Sequence, residues 1–274
     1  MESVEYRSPE KRSRRRCCIL SVVALLLFVI IVAVVLGLTL RQNTDTLQQT
    51  FIARCKEFEG YDCEKIWGAF EQAYVGRDPC NVSVEAYDPF IAVAHFKPAC
   101  NRMMFWSKAK DVVHDFTEKR DCFVTLEDTL LGYLLDGLTW CGKEGSSETF
   151  TTDCPGWTDC QNNTVRSFWT RVSAAFADAA CGNVTAMLNG TIAIPFHPAS
   201  IFASIEVKRF DYPRVRSLDV ILVTQENPVS NCTHASLKDL QRELDKGITY
   251  SCKEVTEAHI HECSSPEKPC GGCW

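Results

Sequence analysis

This chain lacks the usual signatures of small-molecule catalysis: it has no Gly-x-Gly-x-x-Gly, no Walker loop, no Gly-x-Ser-x-Gly and no His-Glu-x-x-His. Nothing in it therefore points to a Rossmann-type turn, a phosphate loop, a nucleophile elbow or a zincin helix. It also has no internal repeat, and no low-complexity segment outside a basic N-terminal tail. Basic charge is confined in the same way. Residues 1–18 hold six basic and three acidic side chains and residues 19–40 none, so with a total of −6 the remainder carries −9. An acidic main domain without a basic stripe interleaved with aromatics argues against nucleic acid as a partner.

Cysteine is plentiful. Of sixteen, Cys17 and Cys18 precede an apolar run and fourteen follow it, in a chain that also carries Asn-x-Ser/Thr sequons at Asn81, Asn162, Asn183, Asn189 and Asn231. An even number of cysteines beside sequons implies an oxidising compartment, a disulfide framework and exposed glycan positions. The apolar run, Ile19 to Leu40, is 22 residues without a charge, enough to cross a bilayer core of about 30 Å. Lys11, Arg12, Arg14, Arg15 and Arg16 precede it. The positive-inside bias then gives a single-pass type II protein of the plasma membrane: a cytoplasmic tail at 1–18, a signal-anchor helix at 19–40 in the lipid bilayer, and an extracellular C-terminal part. A cleaved signal peptide has a shorter apolar region, of about 7–15 residues. Cys17 and Cys18 suit either palmitoylation or free thiols.

Beyond the anchor, 41–54 reads as a polar stalk and 55–274 as the main domain. Cys63 to Val75 has helical spacing with Ile66, Trp67, Phe70 and Tyr74 inward; Asn101 to Thr117 and Ser167 to Cys181 read as helices in the same way. Ile201 to Val207 alternates like a strand, and Leu218 to Thr224 is almost continuously apolar, as in a parallel strand buried on both faces. A helix capped by Ser236 and ended by Gly247 precedes a third strand, Ile248 to Cys252. The expected fold class is α+β or α/β, with a mainly helical lobe and a smaller lobe holding a parallel sheet flanked by helices.

Within Thr125 to Cys141, acidic residues sit inside an apolar run. Thr125 and Asp128 form a capping-box-like start, which places Glu127 in a first helical turn, with Leu126, Leu130, Leu134 and Leu138 facing the core. Glu127 and Asp136 are nine residues apart, on opposite sides of a straight helix. They share a cleft only if Gly132 or Gly137 breaks it; for Asp136 a solvated face is an equal alternative. Glu206, late on its expected strand, stands where ligands of open α/β sheets bind, although taken alone a structural role is as good a reading. Cys270-Gly-Gly-Cys273 fits a disulfide end better than a metal or redox site, and His259-Ile-His261 lacks a partner cluster, so no metal site is expected.

Thr125-Leu-Glu-Asp-Thr-Leu-Leu-Gly-Tyr133 and Leu138-Thr-Trp-Cys-Gly142 resemble the signature of the ADP-ribosyl cyclase/cyclic ADP-ribose hydrolase family, and most closely its type II membrane members. Trp106-Ser107, Ser167-Phe-Trp169, Ala179-Ala-Cys181, Met187-Leu-Asn-Gly190 and Ser204-Ile-Glu-Val207 extend the match over the main domain. The resemblance implies lobes of interleaved segments, about 55–99 with 125–180 and about 100–124 with 181–274, with the active site in the cleft between them. It implies Glu206 and Glu127 as catalytic residues, Trp106 and Trp169 as aromatic walls, and Asp136, Ser107, Lys108, Ser173 and Ile201 as substrate contacts. Gly137 and Ile201 are departures: the family's mammalian enzymes carry a second Asp and a hydroxyl residue there. The implied disulfides are Cys55–Cys63, Cys80–Cys160, Cys100–Cys181, Cys141–Cys154 and Cys232–Cys252, with Cys263 joined to Cys270 or Cys273, which leaves Cys122 and one C-terminal cysteine unassigned.

The implied activity is that of an ectoenzyme cleaving the nicotinamide–ribose bond of NAD to ADP-ribose and cyclic ADP-ribose, and reopening the cyclic product, in calcium-mobilising second-messenger metabolism. NADP is a further candidate substrate, and a homodimer or a surface protein ligand stays open. The carboxylate inventory suits this chemistry. Glycosidases need a general acid for the leaving oxygen, whereas the nicotinamide of NAD is already a cationic pyridinium and departs without a proton. One carboxylate can stabilise the oxocarbenium ion and no cofactor is required, NAD being the substrate. The rival expectation is a non-catalytic surface receptor or adhesion module on the same fold.

Overall fold

The computed structural model describes residues 23, 25–32, 46–119, 122–226, 228–264 and 273–274. Of the expected anchor, residues 23 and 25–32 are helical and exposed, and the rest of 19–40 lies outside the described residues, as do the basic tail and Cys270. Among the described residues no helix is long and apolar enough to cross a membrane.

The first helix of the domain, α1 at residues 46–55, falls inside the expected stalk. Leu47, Phe51, Ile52 and Cys55 recur on one face and are buried, a stripe that the surrounding Thr and Gln residues hid. Next come α2 (Cys63–Glu71), with Asp62 accepting from the Lys65 N–H at its N-cap, and α3 (Asp88–Val93). Phe51, Trp67, Tyr74, Tyr87, Phe90, Trp140 and Phe168 then surround Phe70, mostly edge-on or tilted, with ring centroids 5–6 Å apart in most pairs, the arrangement that ring quadrupoles favour.

The expected helix over 101–117 is two elements, strand β1 (Met104–Ser107) and helix α4 (Lys110–Lys119). A short apolar run such as Met103 to Trp106 has the same look in a buried strand and a buried helix, and here both of its faces are covered. A short helix α5 (Leu130–Tyr133) and the long α6 (Thr164–Asp178) follow, α6 being capped by Asn163 accepting from the Arg166 N–H at 2.8 Å. Strand β2 (Gly182–Asn189) has no counterpart among the expected elements. It is a central strand buried on both faces, so it shows no polar alternation.

The expected strand over 201–207 is helical instead: Phe202–Glu206 is a π-turn and Val207–Arg209 a 3-10 turn. Ser200 starts it, its hydroxyl accepting from the Ala203 N–H at 3.1 Å. Strand β3 (Val215–Thr224), helix α7 (Ala235–Glu243), strand β4 (Thr249–Thr256) and helix α8 (Glu257–Cys263) complete the chain. The residue capping α7 is His234 rather than Ser236, because its ring nitrogen accepts the Ser236 N–H at 3.2 Å.

The strands form one parallel sheet in the order β1-β2-β3-β4. Side-chain alternation divides its interior. Val184, Ala186, Leu188, Leu218, Val220 and Leu222 join the helical core, while Met104, Met187, Ile221 and Val223 pack under α4 and α8. The larger core runs without interruption from α1 to β3 and α7, so the segments expected to form two lobes share one interior. The five implied disulfides are present, Cys263 pairs with Cys273, and Cys122 is also disulfide-bonded.

Candidate active site

A cavity of about 830 Å³ opens beside the carboxyl end of β1, between α6, the π-turn and the 126–139 segment, and it brings all nine expected site residues together. Trp106, Ser107 and Lys108 end β1. Lys108 adopts φ +56°, and its carbonyl accepts the Asn189 side-chain amide at 2.9 Å, which ties the loop to the end of β2. On α6, Arg166, Trp169, Ser173 and Phe176 line the cavity at helical spacing.

The acidic segment departs from the helix expected of it. Thr125 donates through both its N–H and its hydroxyl to Asp128 at 2.8 Å, so the capping contact exists, yet the helix starts only at Leu130, with Thr129 as N-cap. Glu127 thus stands in the turn before α5 rather than in a first helical turn. α5 lies almost directly on it: a Cβ on Gly132 would come within 2.5 Å of the Leu126 carbonyl oxygen and 2.8 Å of the Glu127 Cα. After Tyr133 the chain turns, Gly137 takes φ +72°, and Asp136 reaches the same cavity as Glu127. Asp136 is only half-buried, with Lys110 Nζ 2.7 Å from its Oδ1. Behind it, Arg54 of α1 donates through Nη1 to the carbonyls of Tyr133, Leu134 and Asp136 at 2.8–3.3 Å.

Two carboxyl groups are buried. Trp106 Nε1 donates to Glu127 Oε2 at 3.1 Å, and His114 Nε2 lies 4.0 Å from the same oxygen. Burial raises the Glu127 carboxyl above its usual range, with Asp136 adding to the rise, while His114 and then the Trp106 indole oppose it. Glu206 is pushed up to about 8, chiefly by burial; Ser173 hydrogen-bonds it and lowers it, and the charge of Glu127 raises it further. A carboxylate stripped of water holds its charge most readily when a cation is beside it, so a positively charged ligand in this cavity would favour the ionised form of Glu206.

The π-turn explains Ile201. On a regular strand, a residue five before Glu206 points to the opposite face. Here the Val207 N–H bonds the Phe202 carbonyl, and this i→i+5 pattern returns residues five apart to one side, so Ile201 and Glu206 both line the cavity. Trp157, Arg166, Lys110 and His197 line it too, and no motif or spacing marks them. Trp157 sits in a polar cysteine-bearing loop, and the Arg166 guanidinium stands 5.9 Å from its ring centroid.

A family model described as ADP-ribosyl cyclase matches residues 44–271. ADP-ribosyl cyclase/cyclic ADP-ribose hydrolase 1 of Rattus norvegicus is 35% identical, the alignment covering 78% of this chain and 72% of the relative; that of Oryctolagus cuniculus is 35% identical, covering 85% and 84%. Among solved structures, apo porcine CD38 superposes with a TM-score of 0.70 at 35% identity, over 77% of this chain and 96% of the other. Aplysia cyclase complexed with the substrate NGD and the product cGDPR gives 0.73 at 28% identity, over 81% and 94%. With a cleft assembled from the signature residues and a match that spans the whole domain, the chain belongs to the ADP-ribosyl cyclase family.

Proposed function

We infer that this chain is an NAD glycohydrolase and ADP-ribosyl cyclase that also hydrolyses cyclic ADP-ribose. The observation that carries this reading is Glu206: a buried carboxyl with a hydroxyl partner and, among the described residues, no cationic side chain set against it, in a cavity walled by Trp106 and Trp169. The pyridinium of NAD supplies the missing positive charge. Flat indoles suit a cationic ring, and NADP, which has the same ring, is a second substrate on this reasoning.

The chemistry follows from these groups. As the C–N bond to nicotinamide breaks, its electron pair stays with the ring, which becomes neutral, and positive charge appears at the ribose C1 position. Glu206 then stabilises the oxocarbenium ion or bonds to it. Capture by water gives ADP-ribose, and capture by the adenine nitrogen gives cyclic ADP-ribose. Ser173 holds Glu206, while Glu127 and Asp136 contact the nicotinamide amide and bias which nucleophile arrives. Ser107 and Lys108 border the same cleft, and the route needs no cofactor or metal.

The covalent-intermediate structures of CD38 support the ribosyl step, and the disulfides fit an extracellular domain. The basic flank at 11–16 and the 22-residue apolar run support a type II anchor at the plasma membrane. Incubation of the purified domain with a fluorogenic etheno-NAD tests the activity. Fluorescence release by the wild type and its loss in Glu206→Gln is the expected result; a wild type as silent as the variant leaves a binding module. Glu127→Gln is expected to raise the ratio of cyclic to linear product, read by chromatography.

A further inference from the structure

We propose that His114 is a positioning residue for Glu127, fixing the carboxylate from behind and thereby setting the ratio of cyclic to linear product. The inference rests on the reading of Glu127 just given and extends it to a residue that does not line the cavity.

Helix α4 presents Lys110 and His114 one turn apart to the two acidic groups of the 127–136 segment. Lys110 meets Asp136, and His114 meets Glu127. Nε2 of His114 is buried with no hydrogen-bond partner among the described residues, and Glu127 Oε2 is 4.0 Å away, so a shift of about 1 Å would make a normal hydrogen bond. The imidazole also packs edge-on against Trp106, centroids 5.8 Å apart and planes at 73°. Trp106 itself donates to that same Oε2. One ring thus packs against the indole that walls the cleft and stands behind the oxygen that the indole binds. The other acidic groups set around Glu127 are Asp136 after α5, whose charge raises the Glu127 carboxyl, and Glu206 on the π-turn, which the charge of Glu127 raises in turn. His114 is the largest influence keeping the Glu127 carboxyl from rising further. Without it, Glu127 loses the imidazole behind its Oε2, and Trp106 loses the ring packed against it.

The test is a double-mutant cycle read as product ratio from NAD. His114→Phe keeps a ring against Trp106 and removes the nitrogen; His114→Gln restores a donor at similar reach. Phe is expected to raise the cyclic-to-linear ratio by about threefold or more, and Gln to stay within about twofold of wild type. In a Glu127→Gln background His114→Phe is expected to leave the ratio unchanged, because the group through which it acts is gone. Where the Phe variant fails to fold, Gln against Met, equal in length with and without a donor, makes the same comparison. An unchanged ratio in His114→Phe, an equal change in both backgrounds, or Gln moving the ratio as far as Phe each overturns the proposal. If Glu127→Gln alone leaves the ratio at the wild-type value, the reading of Glu127 fails first, and it fails separately from His114.

Discussion

Glu206→Gln should make the protein more stable as well as inactive, and the gain should grow with pH. The folded state holds the Glu206 carboxyl at about 8, against 4.5 for the free side chain. Between those values the folded protein binds a proton that the unfolded chain has released, so stability falls as pH rises through this window. The linkage cost to the wild type is roughly 1 kcal/mol at pH 5 and roughly 3 kcal/mol at pH 7. Glutamine has no such term and fills the same volume, so it removes the cost. For a domain of this size 3 kcal/mol corresponds to roughly 6–12 °C in Tm. Thermal unfolding of both proteins at pH 5 and pH 7, disulfides intact, gives the comparison. A difference between them that does not widen from pH 5 to pH 7 refutes the argument, because it would mean that the carboxyl ionises in the folded state as easily as in the unfolded chain.

The same burial should place the acid limb of kcat/KM for NAD near pH 8 in the free enzyme. Glu127→Gln should move that limb to lower pH, since the charge of Glu127 raises Glu206; a limb that stays put or rises contradicts the coupling. Gly132→Ala forces a methyl into the backbone of residues 126–127 and should cost roughly 1–3 kcal/mol. It should also lower turnover by roughly tenfold to a hundredfold through displaced Glu127, as steady-state kinetics would show. Cys141→Ser breaks the bridge to Cys154 and should cost about 2–5 kcal/mol, visible as a sharp fall in secreted protein. Ile201→Thr adds a hydroxyl to the cavity wall, offers water an anchor and should lower the cyclic-to-linear ratio on chromatography of the products.

The legible parts of the sequence were those where one face is apolar and the other wet. The stripe of Phe168, Val172 and Phe176 marks α6, and Ile66, Trp67 and Phe70 mark α2; both helices bury those side chains. The sheet was half legible. β3 betrays itself by length, whereas β1 and β2 are buried on both faces and carry no period to read. The site residues came from the resemblance, and their geometry did not. Alternation of Ile201, Ala203, Ile205 and Val207 suggests a strand, but Ser200 caps a helical turn that widens to five residues, and only tertiary packing of Phe202, Ala203 and Val207 decides between them. His114 and Arg54 act through backbone or through another side chain, and no local pattern marks that.

The grip of Arg54 on the Tyr133, Leu134 and Asp136 carbonyls bears on proteolytic release from a surface. A protease that cuts before residue 46 leaves the cleft wall intact, and the freed domain keeps α1, the Cys55–Cys63 bridge and the carbonyl clamp. A cut between Arg54 and Cys55 parts Arg54 from the Cys55–Cys63 bridge, and with it goes the support behind the segment that carries Asp136. For a domain released from a surface, the position of the cut relative to Arg54 would therefore decide whether the segment carrying Asp136 keeps its support.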